Sequence, residues 1–157
     1  MASANVRLDY AELKKLKERI EDATTGANAD LFFQSCAKEL AARLLAKVIK
    51  RTLPGEYPKG SGKTGGTLRR GWTGGKSSNA TTYAKSLVVN KVGNDYVIEI
   101  INPVEYASYV EFGHRTRNHK GWVEGKFMLT ISEDEIRNSA PRVLEKKLET
   151  YLKGCFK

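Results

Sequence analysis

From about Ala29 to Leu53 the chain repeats apolar residues at helical spacing for about seven turns, and the pattern stops at Pro54-Gly55. Phe33, Cys36, Leu40, Leu44 and Val48 form its stripe, and Leu45 and Ile49 widen it. A stripe of that width calls for burial against more than one neighbour. The fold must therefore place other elements on at least two sides of one long helix, and the remaining sequence has to supply them.

Asp9, with Glu12 three residues on, has the form of a capping box, and Tyr10, Leu13, Leu16 and Ile20 follow at helical spacing. A first helix is therefore expected over 9–23, ended by "TTGAN" at 24–28. Residues 54–66, "PGEYPKGSGKTGG", read as a long mobile loop. "TLRRGW" at 67–72 reads as a short strand and "SSNATTY" at 77–83 as a loop. The alternation in 83–92 and 96–102, with "GND" between them as a turn, predicts a β-hairpin.

Asn102 can cap a short helix with Pro103 in its first position and Glu105 in the first turn, closed by Gly113. Residues 114–126, "HRTRNHKGWVEGK", read as a second long mobile loop, and "FMLTI" as a brief strand or the beginning of the next helix. Ser132-Glu133-Asp134-Glu135 has the form of a capping box for a final helix. Ile136, Ala140, Val143, Leu144, Leu148, Tyr151 and Leu152 make its apolar face, and Pro141 is expected to kink or restart it.

The sum is an α+β chain: a small antiparallel sheet built on a β-hairpin, packed by N-terminal helices, a short central helix and a C-terminal helix. A length of 157 residues suits a single domain over 1–157 with a sizeable core, and neither an internal repeat nor a domain boundary is visible. No apolar run reaches a membrane-spanning length, and the first residues lack the apolar core of a signal peptide. Two cysteines are too few for a disulfide framework or a zinc site. Cys36 reads as a small buried hydrophobe, and the expected compartment is reducing.

The charge is concentrated. The segment 43–85 holds ten basic residues against one acid, Glu56, and so carries the whole net charge of +9, while the rest of the chain sums to zero. A focused basic segment suits a polyanion or an acidic protein surface, and equally a solvated loop. Lys59, Lys63, Arg69, Arg70 and Lys76 are the residues that could face DNA in a channel or an acidic partner. Trp72 beside Arg69 and Arg70 could stack on a base, although a core position at a sheet edge is the commoner use.

Catalytic patterns are sparse. "GSGKTGG" looks like a phosphate-binding loop but fails in detail. Ser61 stands where the lysine should follow Gly60, and Tyr57 stands where the first glycine should precede Lys63-Thr64. A helix rather than a strand precedes the loop. Glu111 and His114 are three apart, yet Gly113 intervenes, and His119 lies alone in the loop. A metal needs further ligands and acid–base work needs a partner and a pocket, so a surface Glu–His pair is the simpler reading. No Ser-His-Asp, Cys-His or paired-carboxylate arrangement is visible. No catalytic residue, metal or cofactor is expected, and the chain reads as a non-enzyme.

Tyr106, Tyr109 and Val110 read as core that holds the short helix on the sheet. Phe112 and Trp122 flank the second loop, where anchors of protein interfaces are common; core is the default reading, and an interface is the sharper one for Trp122. Three motifs carry a family resemblance: "TGGTLRRGW" at 64–72, "NPVEYASYVEFGHRTR" at 102–117 with its Tyr-Ala-x-Tyr-Val-Glu-x-Gly core, and "KFML" at 126–129 before a C-terminal helix. Over roughly residues 30–155 the chain resembles a phage tail-component family, the small proteins of the head–tail neck in tailed phages and prophage-derived particles. Gly66 and Gly71 are points of departure, and the helix at 9–23 is an addition.

The resemblance implies a structural virion protein, a tail-completion or neck subunit that forms a ring, commonly a hexamer, joining the tail to the head connector. Its partners would be itself, adjacent head-connector and tail-terminator or tail-tube proteins, and passing DNA. Glu111, Phe112, His114, Arg115, Arg117 and Trp122 would lie at the subunit boundary, with Tyr106, Tyr109, Val110 and Gly113 as the structural motif behind them. The alternative is a sequence-independent nucleic-acid-binding protein using the basic 43–85 segment.

Overall fold

A computed structural model describes residues 18–19, 21–24, 26–75 and 79–155. The long helix is α1, Ala27–Arg51. It is followed by α2 (Thr67–Gly71), α3 (Ala80–Ser86), β1 (Asn90–Val92), β2 (Asp95–Val97), α4 (Ala107–Phe112), β3 (Gly113–Arg115), β4 (Trp122–Glu124) and α5 (Met128–Cys155). Of the helix expected over 9–23, the described residues 18–19 and 21–23 are helical, and the rest lies outside the described residues, as does Lys76. The α+β class holds, with two separate two-stranded antiparallel sheets in place of one.

The core forms where α1 meets α2, α3 and α5. Ala41, Leu45 and Val48 of α1 pack with Leu68, Trp72, Ala84 and Met128, and Leu45 and Val48 are wholly buried. Burying a side chain of that size contributes about 1.5–3 kcal/mol, so this knot outweighs any surface contact. The buried line of α1 is Cys36–Ala41–Leu45–Val48. Leu40 and Leu44 are half-buried, and Phe33 is exposed and stacks on Tyr96 at 5.4 Å. Cys36 is buried as expected, and burial pushes its thiol pKa up.

One hydrogen-bond chain ties the end of α1 to α2. The Trp72 indole N–H donates to Thr52 Oγ1 at 2.9 Å, and the Thr52 hydroxyl donates to Val48 O at 2.7 Å, all of it buried. Each polar group taken into the core thus has its partner, as burial requires. Trp72 is therefore core and closed to base stacking, but it sits at the end of a helix, not at a sheet edge.

Three expectations for the middle of the chain change. "TLRRG" is helical, not a strand. "ATTYAKS" is helical as well, because Asn79 caps it by accepting from Thr82 N–H at 2.8 Å. The β-hairpin turns at Gly93-Asn94 as expected, with Gly93 at φ 62, but its strands are only three residues each. Asp30 of α1 anchors this hairpin by accepting from Lys91 and from the Tyr96 hydroxyl. Beyond it, Ile98, Ile100 and Val104 pack on the core while Glu99 and Ile101 point outward, outside any ladder.

Asn102 does not cap a helix from Pro103. Its side-chain N–H donates to Leu68 O at 2.8 Å and its Oδ1 accepts from Val104 N–H at 3.2 Å. The Asn102 side chain occupies the space where a Cβ of Gly71 would stand, which accounts for glycine there. α4 begins instead at Ala107. The loop 54–66 carries no helix or strand and is exposed for most of its length, yet its ends meet. A Cβ on Gly65 would strike Gly55 O, so the segment closes as a compact surface loop.

Residues 114–126 are not a loop throughout, since they hold most of the β3–β4 hairpin. α5 starts at Met128, four residues before the Ser132 box, and runs unbroken past Pro141. Ser132 is wholly buried in its second turn and donates to Met128 O at 2.6 Å. Glu135 faces α1, where Lys47 Nζ lies at 2.6 Å and Arg51 also pairs with it. These hydrogen bonds, Lys47 first and then Arg51, hold the Glu135 carboxyl below its ordinary pKa.

Candidate functional site

The segment from Tyr106 to Phe127 is built around one buried carboxylate. Glu111 is 6% exposed on α4, and its oxygens accept from Leu129 N–H at 3.0 Å, Thr130 N–H at 2.9 Å and the Thr130 hydroxyl at 2.8 Å. It caps α5 from another element, satisfying amides at the helix start where negative charge is favoured. Neither a surface Glu–His pair nor direct exposure at a boundary fits Glu111. Its work is to lock α4 against the start of α5.

Backbone bonds complete the joint. Lys126 N–H donates to Val110 O at 2.8 Å and Phe127 N–H to Glu111 O at 3.1 Å. Gly113 ends α4 with φ 86 and ψ 171, a conformation open to glycine. A Cβ there would also come within 2.5 Å of Val123 O. The chain therefore leaves α4 directly into β3 and returns along β4, pairing His114 with Val123 and Arg115 with Trp122.

The tip of this hairpin is ordered by its own side chains. Thr116 N–H donates to Gly121 O at 3.0 Å, Thr116 Oγ1 accepts from Gly121 N–H at 3.0 Å, and Asn118 Oδ1 accepts from Lys120 N–H at 3.2 Å. His119 takes positive φ in the bend. His114 is half-buried against the Tyr109 ring at 5.6 Å, and its Nδ1 is buried without a hydrogen bond. Glu111 and His114 do not meet. Among the described residues no group of three His, Cys, Asp or Glu side chains could hold a metal ion.

The other assigned residues divide sharply. Val110 packs on the core as expected. Tyr106 and Tyr109 do not: they are 43% and 58% exposed. Phe112 and Trp122 are 62% and 55% exposed, and Arg115 and Arg117 are exposed beside them. The joint thus presents aromatic and basic side chains outward over a rigid base. Sequence reasoning missed the role of Glu111 as a cap, whose signal is tertiary.

The basic segment is partly spent inside the chain. Arg43 pairs with Glu39 at 2.8 Å, and Lys47 and Arg51 share Glu135. Lys59, Lys63, Arg69 and Arg70 are exposed around the 54–66 loop and α2 and make no ion pair among the described residues. Lys63 lies 5.9 Å over the Tyr57 ring, and an Arg70 N–H reaches Gly65 O at 3.4 Å. An apolar groove of about 440 Å³ runs between the start of α1 and the C-terminal half of α5, lined by Phe32, Phe33, Leu144, Leu148 and Leu152 with Glu145 as its one charged residue. It brings no convergent polar groups to a reacting centre. No helix among the described residues is long and apolar enough to cross a membrane.

A protein-family model, HK97-gp10_like, described as "Bacteriophage HK97-gp10, putative tail-component", matches residues 14–113, well over half of the chain. The match begins before the motifs that carry the resemblance and takes in part of the N-terminal helix pattern. It stops at Gly113, where the β3–β4 hairpin begins. No curated protein and no solved structure matches the chain.

Proposed function

We propose, from the premise that this chain belongs to the HK97-gp10-like family of phage tail components, that it is a neck or tail-completion subunit of the virion, a ring protein that joins the tail to the head connector. The observation that carries this reading is the outward row of Tyr109, Phe112 and Trp122 beside Arg115 and Arg117, mounted on a joint that Glu111 and Gly113 make rigid. Exposed aromatics and arginines on a fixed base are what protein interfaces select. His114, half-buried behind them, supports the row by packing on Tyr109. The role is architectural, with no catalysis and no cofactor. The partners are other copies of the chain in a ring, commonly a hexamer, and the head-connector and tail-terminator or tail-tube proteins on either side.

The test is the native mass of the purified chain, alone and mixed with the head-connector protein. A closed ring in either sample is the expected outcome. Arg115→Glu should prevent that ring while leaving the chain folded, because charge at a boundary sets register. A ring that survives Arg115→Glu would remove 111–117 from the interface.

A second reading rests on Lys59, Lys63, Arg69 and Arg70, which make no ion pair among the described residues: they line a channel through which DNA passes, or bind nucleic acid in the free chain. Contact of that kind is sequence-independent and falls steeply with salt. Binding of duplex DNA by the monomer, lost in a Lys59→Glu/Lys63→Glu/Arg69→Glu variant, would favour it.

A further inference from the structure

Among the described residues, two of the open backbone edges complement each other. The first is the run 98–101. Its side chains alternate, with Ile98 and Ile100 inward on the core and Glu99 and Ile101 outward. This is the pattern of a strand in a sheet. Yet the ladder with β1 ends at Val97, and no backbone amide or carbonyl of 98–101 makes a hydrogen bond among the described residues. Val97 and Ile101 are 45% and 58% exposed on the outward side. β-branched residues facing water along an unpaired strand are the feature that soluble proteins usually suppress with lysine or proline.

The second edge is β4. Among the described residues its only strand neighbour is β3, which leaves its other edge open, and all three of its residues are exposed. Trp122 and Val123 are 55% and 43% exposed.

The charges match. From Val92 to Phe112 the chain has no basic residue, and the exposed Asp95, Glu99 and Glu105 follow the first edge. From Gly113 to Phe127 there are four basic residues, Arg115, Arg117, Lys120 and Lys126, all exposed, against Glu124 alone. Among the described residues none of these charges forms an ion pair, so the acidic edge and the basic hairpin are free to meet between two copies.

We propose that the β3–β4 hairpin of one copy adds to the open edge at 98–101 of the next copy, a head-to-tail contact between different surfaces. Main-chain hydrogen bonds supply the pairing, Trp122 covers Val97 and Ile101, and the Arg115–Lys126 charges meet Asp95, Glu99 and Glu105. Such a contact repeats without using itself up and closes when the rotation allows, which is the requirement for a ring. The inference rests on the ring reading above and names the two surfaces that would make it.

The test uses two full-length variants at exposed positions, Ile101→Lys and Trp122→Asp, followed by sedimentation velocity. Wild type should self-associate, and each variant alone should stay monomeric. Mixed in equal amounts they should form a heterodimer that grows no further, since the Trp122→Asp chain keeps its edge and the Ile101→Lys chain keeps its hairpin. That heterodimer also shows both variants to be folded. Glu99→Lys should weaken wild-type association about tenfold or more at low salt, and Arg117→Glu in the same chain should recover part of the loss. Trp122→Asp chains that associate alone would overturn the proposal in favour of edge-to-edge pairing. Wild-type rings together with variants that assemble as well as wild type would overturn the proposal and leave the ring reading standing. A wild-type chain that stays monomeric at all concentrations, with and without the connector, would overturn both.

Discussion

The two halves of the 106–155 region spend their apolar residues in opposite ways. Met128, Ser132 and Ile136 of α5 are buried against the long helix, and every polar group drawn in with them finds a partner. The β3–β4 hairpin, joined to α5 by a few residues, buries almost nothing and leaves Trp122 and Val123 in the open. Burial of apolar surface holds the first half in place. The second is held by backbone pairing, a glycine and a buried cap. A region whose shape does not depend on hiding its apolar side chains is free to offer them to a partner.

That contrast can be tested by substitution, beginning with the core. Trp72→Ala removes a buried aromatic and leaves Thr52 without its donor; it should cost about 3–5 kcal/mol and be the most damaging change considered. Denaturant unfolding would read it directly, and a loss under about 1 kcal/mol would mean that the α1–α2 knot is not the centre of stability. Glu111→Gln comes next, because the amide replaces one acceptor facing Leu129 and Thr130 with a donor. The expected loss is about 1–3 kcal/mol in the same measurement, together with faster hydrogen exchange at the start of α5. Unchanged exchange there would separate Glu111 from the α5 cap.

Glu135→Gln probes the brace between α1 and α5. Lys47 and Arg51 lower the Glu135 pKa, so its stabilisation is present above the ordinary glutamate value of 4.5 and is lost as pH falls through the lowered folded value. The variant should therefore show a shallower decline of stability on the acid side and little change at neutral pH, since the group is partly exposed and screened. Equal acid limbs in variant and wild type would count against the pairing in solution. The smallest effect belongs to Trp122→Ala, which should leave unfolding within about 0.5 kcal/mol of wild type while impairing assembly. A large loss of stability would place Trp122 in the fold and reverse its assignment to a surface.

The places where local reading misled share a cause. Ser132 with Glu135 has the form of a cap, yet the helix begins at Met128 because its cap, Glu111, comes from another element. Asn102 before Pro103 has the form of a helix start, but its side chain is drawn to Leu68 O across the core. Tyr106 and Tyr109 follow a helical apolar spacing, and only packing decides that the core takes Val110 and leaves them out. Glycine and charge mark both 54–66 and 114–126 as loops, and pairing across 113–124 makes the second a hairpin.

By itself the sequence determined the long amphipathic helix, its stop before Pro54, the turn at Gly93-Asn94, the close of the central helix at Gly113 and the concentration of basic charge, because each is written in residues within a few positions of one another. Its short motifs also carried the resemblance to a phage tail-component family, to which the chain belongs. Tertiary structure alone decided the site: which carboxylate caps α5, which basic residues are already paired, and which strand edges stay open. Those outcomes depend on groups far apart in the chain meeting in space, and no local pattern encodes who meets whom.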